Sequence, residues 1–166
     1  LTYFLQTLHR SEGFNSIILR FFLVYGPYQK KNRLIPSLLT SLLKDEIFHA
    51  SSGNQERDFL FIDDAVDLIE KILISKNKKI YGQIYNVGSG KPMTVRKIIK
   101  LFHSKIGKGK IKYGKHTLRK GENLKLYSTI NKVKKIFNWQ PKTSLNKSIL
   151  STIEYYKLDN EKKFKS

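Results

Sequence analysis

Ser16-Ile17-Ile18-Leu19-Arg20-Phe21-Phe22-Leu23-Val24-Tyr25-Gly26-Pro27 is the stretch on which the fold turns. Residues 16–25 are nearly all apolar, β-branched or aromatic, without the polar alternation of a half-buried strand. A run of that kind, ended by Gly-Pro, predicts a strand over 16–25 buried on both faces of a parallel sheet. Upstream, Leu1, Phe4, Leu5 and Leu8 recur at helical spacing, and Gly13 is placed to end that helix. Downstream, the polar residues 28–32 read as a loop. Pro36 suits the first turn of a helix carrying Leu38, Leu39, Leu42 and Leu43.

The alternation continues along the chain. Asp58 to Ile62 predicts a second strand, and Asp63 a cap for a helix whose core face is Ala65, Val66, Ile69, Ile72 and Leu73. Lys76 to Lys79 form a charged turn, and Ile80 to Val87 a third strand. The Gly-rich turn 88–92 breaks it. Thr94 then caps a helix with Val95, Ile98, Ile99, Phe102 and Ile106 along one side. A Gly- and Lys-rich stretch runs from Gly107 to about residue 127. Helices over about 129–137 and 144–156 follow, and the polar segment 159–166 is expected to fray. Strands alternating with helices define an α/β fold.

Composition narrows the classes of function. A chain of 166 residues can bury one sizeable core. It has no cysteine, so no disulfide, thiolate zinc site or thiol nucleophile. No apolar run approaches the roughly 18 residues of a membrane helix, and residues 1–14 lack the basic leader and cleavage site of a signal peptide. A cytoplasmic location is the expectation. The chain opens at Leu1 within a helical pattern, without a Met or a capping residue, and so reads as a fragment.

The net charge of +19 invites a nucleic-acid reading. However, lysine outnumbers arginine 26 to 6 and is spread over the whole chain. Phosphate and base readers lean on arginine, whose planar fork matches their targets. Isoleucine and asparagine, at 18 and 10, are also abundant, which is the mark of AT-rich codons. A solvated basic surface is the preferred reading, and nucleic acid is not the expected partner.

Five segments then stand in a telling order: Leu19 to Pro27; Asn32-Arg33-Leu34-Ile35-Pro36; Gly53 to Asp64; Tyr85-Asn86-Val87-Gly88-Ser89-Gly90; and Leu118-Arg119-Lys120-Gly121-Glu122 with Asn138-Trp139-Gln140-Pro141. Together they resemble the extended short-chain dehydrogenase/reductases, the NAD-dependent nucleotide-sugar epimerases and dehydratases, over residues 1 to about 156. The resemblance implies the carboxy-terminal part of a Rossmann-type NAD(P)-binding fold plus a small α/β substrate-binding domain. Residues 1–27 and 57–88 would belong to the cofactor domain, 28–56 and 89–158 to the sugar-nucleotide domain, and 159–166 to a tail.

It also implies roles for particular residues. Arg57 and Arg119 are assigned to the pyrophosphate of a nucleotide-diphosphate sugar, with Arg33 approaching it. Such a dianion needs convergent cationic donors, each charge-assisted bond contributing roughly 1.5–3 kcal/mol. For Arg57 the plain alternative is a surface ion pair with Asp58 or Asp63. Glu122 stands where the family has the aspartate that reaches the ribose. Phe48 and His49 match the loop that packs against the base, although His49 equally reads as an exposed histidine. Phe21 and Phe22 match positions beside the nicotinamide of NAD or NADP, with core packing the alternative for Phe22. Leu23 departs from the asparagine common there.

The Gly-rich cofactor loop and the catalytic Tyr-x-x-x-Lys pair are expected upstream of Leu1. No metal site is expected: no two histidines have ligand spacing, and Asp63-Asp64 reads as a helix cap. The implied activity proceeds through a keto-sugar in a homodimeric parent enzyme, the isolated chain being inactive. The rival readings are a small basic nucleic-acid binder and a non-catalytic sugar-nucleotide binder.

Overall fold

The computed structural model describes residues 1–115 and 121–164, with side chains to residue 159. The chain folds as two compact units, each assembled from three stretches. The first holds Leu1–Val24, Asp58–Lys91 and Tyr127–Lys142; the second holds Tyr25–Arg57, Pro92–Leu126 and Thr143–Ser166.

In the first unit, helix α1 (Thr2–Glu12) closes at Gly13, whose φ of 67° turns the chain so that the following Phe14 N–H reaches the Leu8 carbonyl at 3.3 Å. Strand β1 (Ile17–Phe21) pairs in parallel with β6 (Gln83–Val87), Ile17 opposite Gln83 and Phe21 opposite Val87. Strand β2 (Leu23–Tyr25) pairs with β5 (Phe59–Phe61). The single strand expected over 16–25 therefore divides at Phe22. The Phe22 N–H still donates to Val87, and one residue later the Leu23 N–H donates to Asp58. Burial is also less than expected for β1, whose Arg20 and Phe21 are exposed. Among the described strands its ladder has one partner, β6.

Helix α3 (Ile62–Leu73) starts one residue before the expected cap. Phe61 occupies the cap position without a side-chain bond, and Asp63 and Asp64 lie in the first turn. There their charge suits the positive end of the helix dipole. The buried carboxylate of Asp64 accepts the Lys142 N–H at 2.9 Å. The core face differs too. Ala65, Leu68 and Ile72 are buried, whereas Val66, Ile69 and Leu73 are 45, 38 and 78% exposed. Ala65, Leu68 and Ile72 form an i, i+3, i+7 stripe, and the other three lie about 100° further round the helix, on its flank.

A 3-10 turn (Lys78–Ile80), capped by the Asn77 side chain, replaces the start of the expected third strand. Helix α5 (Asn131–Phe137) then lays Val133 and Phe137 into a core with Leu60, Leu68, Tyr85, Val87 and Trp139. The expected domain division ran 89–158 as one piece. Residues 127–142 instead belong to the first unit, because Val133, Phe137 and Trp139 supply part of its core.

The second unit packs three helices: α2 (Leu34–Leu43), α4 (Val95–Ile106) and α6 (Leu145–Phe164). Pro36 sits in the first turn of α2, where its missing N–H has no intrahelical partner to lose. Leu38, Leu39, Leu42, Ile98, Ile99, Phe102, Ile149 and Ile153 are nearly inaccessible. Inside this core the Tyr25 hydroxyl meets Ser148 Oγ at 2.6 Å. Thr94 caps α4 as expected, its side chain accepting the Lys97 N–H. The α6 helix continues past residue 159, where fraying was expected, to Phe164; Glu161, Lys162 and Lys163 are good helix formers.

Five short strands escaped the hydrophobic pattern. Strand β3 (Ile47–Ala50) pairs in parallel with β8 (Lys110–Tyr113). Strand β4 (Glu56–Arg57) lies between β7 (Met93–Thr94), antiparallel, and β9 (Lys125–Leu126), parallel. Two-residue strands are too short to show a period of two.

Candidate functional site

The backbone of Arg57 is held on both edges. It faces Met93 across one ladder and Leu126 across the other, and the neighbouring Glu56 N–H donates to Leu124 at 2.7 Å. The side chain is as firmly fixed. Nη1 donates to the carbonyls of Glu56 and Leu124 at 2.8 and 3.4 Å, and Nη2 donates to Glu122 Oε1 at 2.6 Å. Arg57 is 8% exposed. A guanidinium has five N–H donors. Three face these acceptors, which leaves Nε–H and one Nη2 hydrogen without a protein acceptor among the described residues. The arginine therefore combines a buried positive charge, a rigid mount and two spare donors, which are the attributes of an anion contact.

Arg57 and Glu122, 65 positions apart, are thus brought together. The ion pairs with Asp58 or Asp63 considered for Arg57 do not form. Arg33 is exposed at the cap position of α2. Phe48 and Ala50 point into the core of the second unit, with the partly exposed His49 between them on β3. Phe21 is 40% exposed and Phe22 partly buried, both in the first unit. Arg119 lies outside the described residues.

Sequence reading passed over two features. The first is Asp58, fully buried, whose carboxylate receives the Ser89 N–H at 2.6 Å, the Ser89 hydroxyl at 2.5 Å and the Gly90 N–H at 3.2 Å. The turn Gly88-Ser89-Gly90 wraps a buried charge. Gly88 is required there, since a Cβ would stand 2.2 Å from Asp58 Oδ2. The signal was present in the sequence as Asn-Val-Gly-Ser-Gly after a strand, but nothing local names its distant carboxylate.

The second is Arg96, at the start of α4. Its Nε donates to the Ser52 carbonyl at 2.9 Å, and its guanidinium lies 4.0 Å over the Tyr113 ring. The loop 51–55 closes onto the same helix end, its Gly53 and Gln55 carbonyls accepting the Arg96 and Val95 N–H groups. Gln55 itself is buried. Burial pushes the Tyr113 phenol above its ordinary value, and the Arg96 charge opposes that rise. In the first unit, burial alone pushes Tyr85 up. Among the described residues, no three His, Asp or Glu side chains gather as a metal site, and no helix is long and apolar enough to cross a membrane.

Comparison with known proteins places this architecture. The chain belongs to the NAD dependent epimerase/dehydratase family, which it matches over residues 1–88. It is 30% identical over 153 residues to a UDP-glucuronate 4-epimerase of Thermodesulfobacterium geofontis, covering 91% of this chain and 46% of that protein. Among solved structures it resembles UDP-glucuronic acid 4-epimerase from Bacillus cereus in complex with UDP-glucuronic acid and NAD. That match has a TM-score of 0.82 and 27% identity, over 94% of this chain and 49% of the other. UDP-glucose 4-epimerase with UDP-glucose from Thermotoga maritima matches with a TM-score of 0.83 and 25% identity, over 96 and 51%. The chain spans about half the length of the relatives it matches. The fold is the Rossmann-type α/β fold expected of it.

Proposed function

We propose that this chain supplies the sugar-nucleotide-binding portion of an NAD(P)-dependent nucleotide-diphosphate-sugar epimerase, dehydratase or reductase. The observation that carries the reading is Arg57, a buried guanidinium on a doubly paired strand with two donors to spare. Support comes from solved relatives holding UDP-glucose, or UDP-glucuronic acid with NAD. In this reading Arg57 contacts the diphosphate, joined by Arg119 and by Arg33 at the rim. Phe48 and His49 belong to the base side, Glu122 lies beside Arg57, and Phe21 and Phe22 belong to the nicotinamide side.

The reaction would begin with hydride transfer between the sugar and NAD or NADP, through a keto-sugar. No Tyr-x-x-x-Lys occurs in the 166 residues. The acid/base pair therefore comes from elsewhere in the parent enzyme, a cytoplasmic homodimer in this reading, and the isolated chain turns over no sugar nucleotide.

The test is Arg57→Ala in the parent enzyme. UDP-sugar or dTDP-sugar binding should weaken by roughly 2–4 kcal/mol, the loss that follows removal of one partner of a buried charge pair. Affinity for NAD(P) should stay constant, and Lys100→Ala, on the exposed side of α4, should change neither. Unaltered sugar-nucleotide affinity in Arg57→Ala would defeat the assignment.

A further inference from the structure

The candidate site draws on two separate ladders of the second unit. Phe48 and His49 lie on β3, which pairs with β8, whereas Arg57 lies on β4, between β7 and β9. A nucleotide diphosphate would meet both through one short covalent span, so its two ends bind together only when the ladders keep the matching separation. The loop 51–55 joins β3 to β4, and its Gly53 and Gln55 carbonyls accept the Arg96 and Val95 N–H groups at 2.8 and 3.0 Å. Arg96 stands two residues beyond Thr94, whose ladder partner is Glu56, the neighbour of Arg57. From there its Nε donates to the Ser52 carbonyl at 2.9 Å. Its guanidinium lies 4.0 Å over the ring of Tyr113, the last residue of β8 and the partner of Ala50 on β3. One side chain, rooted beside the Arg57 ladder, grips the β3–β8 ladder and the loop between them. A planar guanidinium suits both tasks, because it stacks on a ring face while its N–H groups donate in the plane.

We propose that Arg96 is a positioning residue of the sugar-nucleotide site, setting the base-side strand β3 against the diphosphate contact Arg57. The proposal rests on the reading of β3 and Arg57 as two sides of that site and adds what keeps them in register. Without the clasp, Arg57 retains its ladder neighbours Met93 and Leu126 and its bonds to Glu56, Leu124 and Glu122. What falls is the fraction of molecules in which both sides match one ligand. Affinity for a ligand that spans the two sides drops with that fraction. A ligand that needs Arg57 alone does not register the change.

The experiment is calorimetric titration of the purified parent protein with two probes. Inorganic pyrophosphate carries the anion alone; UDP or dTDP, whichever wild type binds the more tightly, adds the base. Arg96→Met keeps an unbranched stem and discards the charge and the donors. It should weaken nucleotide binding roughly three- to thirtyfold, the range spanned by one cation–π contact, and leave pyrophosphate binding at the wild-type value. Tyr113→Leu should reproduce that pattern, and the double variant should lose little more than either, because both remove the same contact. Arg96→Lys should lose less than Arg96→Met, since an ammonium can still sit over the ring. Lys97→Met removes an exposed charge from the same turn of α4 and should bind both probes as wild type does. Arg57→Ala should weaken both.

A residue serving the fold alone would not separate the two probes. Equal weakening of both in Arg96→Met and Tyr113→Leu overturns the proposal, as does unaltered nucleotide binding in both variants; either result leaves the Arg57 reading standing. A loss in Lys97→Met as large as that in Arg96→Met would make the effect one of charge and refute the clasp. Loss of folding in both Arg96→Met and Tyr113→Leu would make the contact structural and refute it equally. Affinities for both probes that ignore Arg57→Ala remove the site reading and the proposal with it.

Discussion

The carboxylate of Asp58 should be among the most sensitive positions in the first unit. It is wholly buried and accepts three hydrogen bonds from two consecutive residues of the 88–90 turn. Bonds to a charged acceptor contribute roughly 1.5–3 kcal/mol each, but burying the charge offsets part of that sum. In Asp58→Ala the charge and its desolvation penalty vanish together, leaving the Ser89 and Gly90 N–H groups without their acceptor. The expected net loss is about 3–5 kcal/mol, a large share of the roughly 5–15 kcal/mol that stabilises a domain.

Asparagine keeps the shape but turns an NH2 toward one of these donors, so Asp58→Asn should lose about 1–3 kcal/mol. Urea unfolding followed by Trp139 emission is the assay, since the single tryptophan is 1% exposed in the same unit's core. Gly88→Ala gives an internal control. Its Cβ would collide with Asp58 Oδ2 at 2.2 Å, and that collision disappears in the Asp58→Ala background. The two substitutions should therefore be less than additive. Additive losses, or a loss below about 1 kcal/mol in Asp58→Ala, would refute the clamp.

Three further outcomes are expected. Burial raises the Tyr85 and Tyr113 phenols above 10.0, so the stability they contribute is full below that pH and is lost as pH rises through their folded values. Between about pH 9 and about pH 12 the wild type should lose more stability than Tyr85→Phe/Tyr113→Phe, and parallel curves would contradict the assignment. Gly53→Ala should lower the melting temperature more than Gly13→Ala. Both have positive φ, but only at Gly53 does a Cβ meet backbone, at 2.9 Å from the Arg96 nitrogen; equal shifts would argue against that contact. DNA binding by this basic chain should be weak and steeply salt-dependent, and nanomolar sequence-selective binding at physiological salt would reverse that expectation.

What the sequence disclosed and what it hid follow from the range of each interaction. Helices α2, α4 and α5 were legible because their apolar stripes repeat within a few residues, and Thr94 and Gly13 act on neighbours in sequence. The 16–25 strand was legible as a strand. Its division at Phe22 was not, because that depends on which of two distant strands each half meets. That residues 127–142 group with the first unit was hidden for a related reason: Val133, Phe137 and Trp139 show that they will be buried, not against what. The short strands β4, β7 and β9 owe their existence to pairing with one another, which no two-residue pattern reveals. At the candidate site, Arg57 and Glu122 were each singled out by the family resemblance, yet their ion pair spans 65 positions and only folding discloses it.

The local geometry of residues 57 and 58 explains why the ion pair between them, reasonable from adjacency, does not form. Successive side chains in extended backbone point to opposite faces, so neighbours in sequence cannot share one partner. Arg57 turns to Glu122 and the Leu124 carbonyl, while Asp58 turns to the Ser89-Gly90 turn. The division 57/58 also separates the two units, so the charged pair that reads as a unit in sequence serves two different structures. Removing Asp58 charges its cost to the stability of the first unit. Removing Arg57 leaves that carboxylate with all three of its donors, and the loss falls on Glu122 and on the Glu56 and Leu124 carbonyls.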